Sequence, residues 1–263
     1  MRIVVCVKHV PDAQGDRRFA TDHTVDRGNV DGLLCELDEY AVEQALKLAE
    51  GSDDATVTVV TVGPDAASDA VRKALQMGAD AGVHVLDDAI HGSDAFATSL
   101  VLAKTIGTLE YDVVMTGMAS TDAGMSVVPA LLAARLGLPQ VTFAGTLDID
   151  GDGPGAKVVI QRDSDAYTEV IESALPALVS VTDQINEPRY PSFKGIMAAK
   201  KKPLTTLSLA DLGVDASLVG LAAAWSTVAG VTQRPPRAAG AVVTDEGDGG
   251  AKLVEFLTGA KLV

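Results

Sequence analysis

The stretch VVMTGMASTDAGMSVVPALLAARLGLP, residues 113–139, decides the architecture. Val113 to Thr116 is a short apolar run rich in β-branched residues, the signature of a strand buried on both faces. Gly117-Met118-Ala119-Ser120-Thr121-Asp122-Ala123-Gly124-Met125-Ser126 is then a loop dominated by small and hydroxyl-bearing residues. Val127 to Leu136 places apolar residues at helical spacing, and Gly137 supplies the residue type that stops a helix. Working outward, the same alternation fills the first half of the chain. Ile3 to Val7, Thr56 to Val62 and Val83 to Leu86 read as further strands. Leu37 to Ala49, Ala66 to Met77 and Ala95 to Leu109 read as helices, with Asp65 and Ser93-Asp94 as N-caps and Gly78 as a stop. Strands alternating with helices predict right-handed crossovers and an α/β fold, a doubly wound, Rossmann-like and mostly parallel sheet covered on both faces.

In such a sheet ligands bind beyond the carboxyl ends of the strands, where neighbouring connections leave for opposite faces. The loop from Gly117 to Ser126, with Val127 and Val128 opening the next helix, occupies that position after the fourth strand. Small residues let a backbone approach a ligand, hydroxyls donate, and amides at a helix start hold phosphate. On residue types alone, such a loop before a helix reads first as ordinary helix capping.

After Leu138-Pro139 the rhythm changes. Val141 to Val181 contains strand-like runs near Val158 to Gln161 and Thr168 to Ile171, with a Gly-rich turn at Gly151-Asp152-Gly153, which predicts a β-hairpin extension over 141–181. Residues 1–203 form the expected α/β domain, and 204–263 an extension of low-complexity Ala/Gly character. Within it, Arg234-Pro235-Pro236-Arg237 and the Asp245 to Gly250 run are not expected to pack independently, whereas Lys252 to Leu257 has the pattern of a short helix.

The chain has 263 residues, 47% hydrophobic and 4% aromatic, so its core must rest on Val, Ala, Leu and Ile. A formal net charge of -15 repels nucleic acid and anionic membranes. Cys6 and Cys35 make neither a disulfide framework nor a ligand cluster, and no apolar run reaches membrane length, so a reducing, cytoplasmic setting is expected. His9, His23, His84 and His91 lack zinc-site spacing. There is no phosphate-binding Gly-Lys-Ser/Thr loop and no nucleophile elbow. Gly151, Gly153 and Gly155 fall in the hairpin, away from any strand-to-helix turn. Trp225 is assigned to packing.

One further segment stands apart: Asn186-Glu187-Pro188-Arg189-Tyr190-Pro191, then Phe193, Ile196, Met197 and Lys200-Lys201-Lys202-Pro203, within 183–203. The prolines flanking Tyr190 disfavour a helix across its first half, which predicts a loop. Composition alone reads it as an amphipathic turn tucking Phe193 and Ile196 into its own domain. The order of the residues, however, resembles the recognition loop of the electron transfer flavoprotein β subunit. The resemblance extends to Val7-Lys8-His9-Val10, Leu175-Pro176-Ala177 and Asp211-Leu212-Gly213-Val214.

The resemblance implies an adenine-nucleotide-binding fold that carries a structural AMP, with Gly117 through Val128 around its phosphate and further contacts at Cys6, Asp38 and Val62. Met118 and Ala119 replace a Lys-Gln pair common in the family, which leaves backbone contacts there. It implies a partner α subunit that holds most of the FAD and receives the 204–263 tail. It also implies docking of flavoprotein dehydrogenases, such as acyl-CoA dehydrogenases, around Phe193, with electrons passing on to a quinone oxidoreductase and the respiratory chain. In Arg162-Asp163-Ser164-Asp165, otherwise a solvated charged turn, Asp163 corresponds to an acid that faces the mobile flavin domain of the α subunit, and an ion pair with an arginine there is expected. The chain is then an electron carrier rather than a conventional enzyme. Two alternatives stay open: a bifurcating flavoprotein with a second FAD in place of AMP, and a stand-alone regulatory nucleotide-binding protein.

Overall fold

The computed structural model describes residues 1–263 apart from 16, 53, 152–154, 233 and 241, so Asp152 and Gly153 of the expected Gly-rich turn lie outside the described residues. The chain divides into two compact units, Met1–Ala229 and Gly230–Val263.

In the first unit the strands are β1 (Arg2–Cys6), β2 (His9–Pro11), β3 (Gly32–Leu34), β4 (Thr56–Val62), β5 (Ala81–Val85), β6 (Val113–Gly117), β7 (Gln140–Ala144), β8 (Thr146–Asp150), β9 (Lys157–Asp163), β10 (Thr168–Ala174), β11 (Ala177–Val181) and β12 (Leu204–Leu207). Its helices are α1 (Glu36–Glu50), α2 (Ser68–Met77), α3 (Ala95–Ile106), α4 (Val128–Leu136) and α5 (Phe193–Ala199). Seven strands make the central sheet in the order β12-β5-β4-β1-β6-β11-β7, every neighbouring pair parallel. Successive crossovers from β1 run outward through β4 and β5, and the chain then returns across the sheet to place β6 on the other side of β1. The direction of winding therefore reverses between β1 and β6.

Alternation along the strands sorts the core into two layers. Val5, Val57, Val59 and Met115 pack with Ala41, Val42 and Ala45 of α1 and Val71 and Ala74 of α2. Val4, Val60 and Val114 pack with Leu102 and Ile106 of α3 and Leu132 and Ala133 of α4. With so few aromatic residues, close packing rests on alanines that let helices lie near the sheet. His84 is buried, its Nε2 2.9 Å from the Gly63 carbonyl, a structural histidine in the core.

Several expectations shift. Asp94 caps α3 by accepting from the Ala97 amide at 3.0 Å, but Asp65 lies inside a 3₁₀ turn that precedes α2 and caps nothing. Gly78 and Gly137 end α2 and α4 with φ of 149° and 67°. The span 141–181 is more than a hairpin: β7 and β11 belong to the central sheet, and β8, β9 and β10 form a separate three-stranded antiparallel sheet. Leu204–Leu207, expected in the C-terminal extension, pairs in parallel with β5 as the opposite edge of the sheet. Residues 204–229 thus join the first compact unit, because a four-residue edge strand carries too little pattern to be seen locally. Trp225 packs without being buried: its ring stacks on Phe96 at 5.1 Å, yet the residue is 82% exposed.

In the second unit one helix, α6 (Gly249–Gly259), enlarges the helix expected at Lys252 to Leu257, with Leu253, Val254 and Phe256 exposed. Among the described residues no helix is long and apolar enough to cross a membrane.

Candidate functional site

The site grows from the reversal of winding. Pairing of β1 with β6 ends at Val5 and Met115, so the strands part just where their carboxyl ends emerge. One carboxylate spans the gap. Asp38, in the first turn of α1, accepts the Lys8 amide at 2.8 Å and the Gly117 amide at 3.2 Å. An acid there also complements the positive end of the helix. Burial pushes its carboxyl up to about 7, against the pull of the two amides and the Lys8 charge, with Asp122 adding to the rise. Gly117 has no side chain for a physical reason: a Cβ would lie 2.7 Å from both Asp38 Oδ1 and the Leu37 carbonyl.

The loop after β6 folds around a second buried carboxylate. The Asp122 side chain is only 2% exposed and holds two cations, Lys8 Nζ at 2.8 Å from Oδ1 and Arg27 Nη2 at Oδ2. Lys8 Nζ also donates to Ser120 Oγ at 3.2 Å. Burial would raise the Asp122 carboxyl, but the ammonium beside it and hydrogen bonds from Lys8, Arg27 and Ser120 hold it well below the usual carboxylate range. Gly124 and Ser126 carry left-handed φ values of 64° and 55°, and the chain then enters α4, whose first turn has no side-chain cap. The hydroxyls of Thr116 and Thr121 are buried without a hydrogen-bond partner among the described residues.

The structure thus brings together most of the expected ligand residues. Cys6, Val62 and Gly117 end the adjacent strands β1, β4 and β6; Asp38 bridges two of those ends, and Met118 to Val128 form the loop and helix start above them. Both thiols are buried, and burial, assisted by Asp38, pushes Cys6 up to about 12 and Cys35 up to about 11, which favours the protonated form. Residue-by-residue reading missed Lys8 as a cation of the site and missed Arg27 entirely. A lysine two residues beyond an apolar strand is a usable signal, whereas Arg27 stands 95 positions from Asp122 with no local pattern to mark it. The orphaned hydroxyls, the amides of Val128 and Ala130 either side of Pro129, and a Lys8–Asp122–Arg27 cluster with one net positive charge make a set that suits a phosphate.

The segment 186–203 differs from the expected loop in its second half. Ser192 Oγ accepts the Gly195 amide at 3.0 Å and starts α5, which carries Phe193, Ile196 and Met197. Phe193 is 81% and Tyr190 91% exposed, so neither is tucked into the domain. Glu187, Lys200 and Lys201 are exposed and Pro188 is partly buried, whereas Asn186, Arg189 and Lys202 face inward onto α1 and α2. An apolar-sided cleft lies against α5, lined by Lys194, Met197, Ala198, Lys201, Lys202 and Pro203. A second cleft is lined in part by Asp12, Arg18, Gly28 and Asn29, next in sequence to Arg27. At the end of β9, Asp163 accepts from Thr168 Oγ1 at 2.5 Å and from Gln161 Nε2 at 3.3 Å. Arg162 instead pairs with Glu169 at 2.8 Å.

Comparison with known proteins gives the family of the chain. Residues 22–212 match the family described as "Electron transfer flavoprotein domain". The chain is 46% identical to the electron transfer flavoprotein subunit beta of Mycobacterium leprae, over 99% of each chain. It is 32% identical to the protein of the same name from Megasphaera elsdenii, over 97% of this chain and 96% of the relative. It is also 34% identical to the caffeyl-CoA reductase-Etf complex subunit CarD of Acetobacterium woodii, over 93% of this chain and 92% of the relative. With most of its length matched by the family and nearly all of it aligned with such relatives, the chain belongs to the electron transfer flavoprotein β-subunit family.

Proposed function

We propose that this chain binds a structural AMP at the β1/β6 reversal and, paired with an α subunit that holds most of the FAD, docks flavoprotein dehydrogenases through residues 186–203. The observation that carries the nucleotide part is the Lys8–Asp122–Arg27 cluster beneath a loop whose Thr121 hydroxyl is buried and unpartnered. The Lys8–Asp122–Arg27 cluster carries one net positive charge, the unpartnered Thr121 hydroxyl and the amides of Val128 and Ala130 at the start of α4 supply donors, and Asp38 and Asp122 are already engaged within the protein. Backbone amides replace side-chain contacts at Met118 and Ala119. The flavin, when bound, carries the electrons; this chain's residues position the carrier and need no acid or base to do so. The reading includes a cytoplasmic carrier accepting electrons from acyl-CoA dehydrogenases during fatty acid oxidation and passing them through a quinone oxidoreductase to the respiratory chain. It also has the tail beyond the sheet holding the α subunit.

The test is to denature the native complex and identify the released nucleotides by chromatography. One AMP and one FAD per heterodimer is the expected result. Two FAD without AMP would assign the site to a second flavin and a bifurcating carrier, and ATP on a solitary chain would point to a regulatory nucleotide-binding protein.

Asp163 belongs to the same reading as an ion-pair partner for an arginine of the flavin domain. It is exposed and bonded only to Thr168 and Gln161 among the described residues, and Arg162 is already paired with Glu169. Asp163→Ala is expected to shift the domain distribution seen by solution scattering and to change the electron-transfer rate. If both stay as in the parent complex, the pair does not exist.

A further inference from the structure

The docking segment divides into residues that hold and residues that are shown. At its start, Asn186 Nδ2 donates to the Tyr40 carbonyl at 3.1 Å and to Gln44 Oε1 at 3.2 Å, both on α1. Arg189 grips the same helix: Nε lies 2.7 Å from Glu43 Oε2, Nη2 3.0 Å from Glu43 Oε1 and Nη1 2.6 Å from Glu50. The Glu43 side chain is 4% exposed, so this two-pronged contact is made by a carboxylate already withdrawn from water, where a planar guanidinium fixes orientation as well as charge. In the middle, Gly195 lies so close to α2 that a Cβ would come 2.5 Å from the Gln76 carbonyl. At the end, Lys202 Nζ donates to the Leu75 and Gly78 carbonyls at 3.1 and 2.9 Å, closing the carboxyl end of α2.

We infer that Asn186, Arg189 and Lys202 are positioning residues that clamp this segment onto α1 and α2, and are not themselves contacts for the partner. The inference rests on the reading of 186–203 as the docking segment and corrects the part played by these three residues in it. Between the clamps, Tyr190, Phe193 and Met197 are left facing solvent with Lys194, Lys200 and Lys201. An exposed apolar segment that had to be ordered at the moment of contact would weaken binding by the entropy of ordering, and clamping removes that cost beforehand. The helix that receives the clamp is itself tied down, since Asp38 in its first turn binds the ends of β1 and β6. The displayed side chains are thereby held in one orientation relative to the sheet.

The experiment uses the intact αβ complex with an acyl-CoA dehydrogenase as electron donor. Amide hydrogen exchange over 186–202 and the KM and kcat for the dehydrogenase are compared in Arg189→Ala, Phe193→Ala and the double variant Glu43→Gln/Arg189→Gln. Arg189→Ala is expected to speed exchange across the segment by about tenfold or more and to raise KM about tenfold with kcat little changed. The double variant removes the stranded buried carboxylate and is expected to behave the same way. Phe193→Ala is expected to raise KM while exchange stays at the parental rate.

Arg189→Ala with parental exchange and a raised KM would overturn the inference in favour of direct contact. So would fast exchange with an unchanged KM, or parental exchange in the double variant, which would trace the effect to the stranded charge. An unchanged KM in Phe193→Ala would instead remove the docking reading, whatever the exchange data show about the clamp.

Discussion

Gly117→Ala is expected to destabilise the protein by about 3 kcal/mol and to empty the proposed nucleotide site. The added methyl group meets Asp38 Oδ1 and the Leu37 carbonyl at 2.7 Å and the Leu37 carbonyl carbon at 2.8 Å. A side-chain oxygen could swing aside, but backbone of the first turn of α1 cannot move without pulling α1 from the sheet it covers with Ala41, Val42 and Ala45. Relief by either route breaks the bond from the Gly117 amide to Asp38 and releases the carboxylate that spans β1 and β6. The measurement is denaturant unfolding of the complex together with its nucleotide content. An unchanged midpoint with full occupancy would show that the crowding at Gly117 is not real. Gly124→Ala is a useful contrast, because a Cβ there meets nothing and only its φ of 64° opposes the change, a cost of about 1 kcal/mol.

Phe193→Ala is expected to raise KM for a dehydrogenase about thirtyfold, the equivalent of a 2 kcal/mol contact, and to leave the stability of the complex where it was. The two halves of that expectation have one cause. At 81% exposure the ring contributes little to the core, so its removal leaves no cavity, and its apolar area is free to be buried against another protein. The backbone of α5 remains capped by Ser192 and seated on α2 in the variant. Steady-state kinetics with the dehydrogenase as donor, beside a thermal melt, decides the matter. A lowered melting temperature with an unchanged KM would make Phe193 a structural residue.

Much of this was legible in the chain because it is written locally. The runs at Ile3, Thr56, Val83 and Val113 appear as β1, β4, β5 and β6, since a strand buried on both faces must be continuously apolar. The glycines at 78 and 137 mark helix ends because only left-handed or open backbone fits there. The Gly117 to Ser126 loop and the 186–203 segment could be placed from residue types and order. The second helical half of that segment was hidden by the prolines before it, although Ser192 is an ordinary cap in retrospect. β7, β11 and β12 were misplaced because pairing partners, rather than strand propensity, decide which sheet a short strand joins.

By itself, then, the sequence determined the alternation of elements and the doubly wound class, since both follow from periodicity and turn chemistry within a few residues, whereas the loops proposed to carry function were singled out by resemblance. Tertiary structure alone decided which charges meet. Lys8 and Asp122 are 114 positions apart, and Arg189 and Glu43 are 146 apart. No local pattern pairs such residues, because a buried ion pair exists only once packing has removed water from both partners and set their geometry.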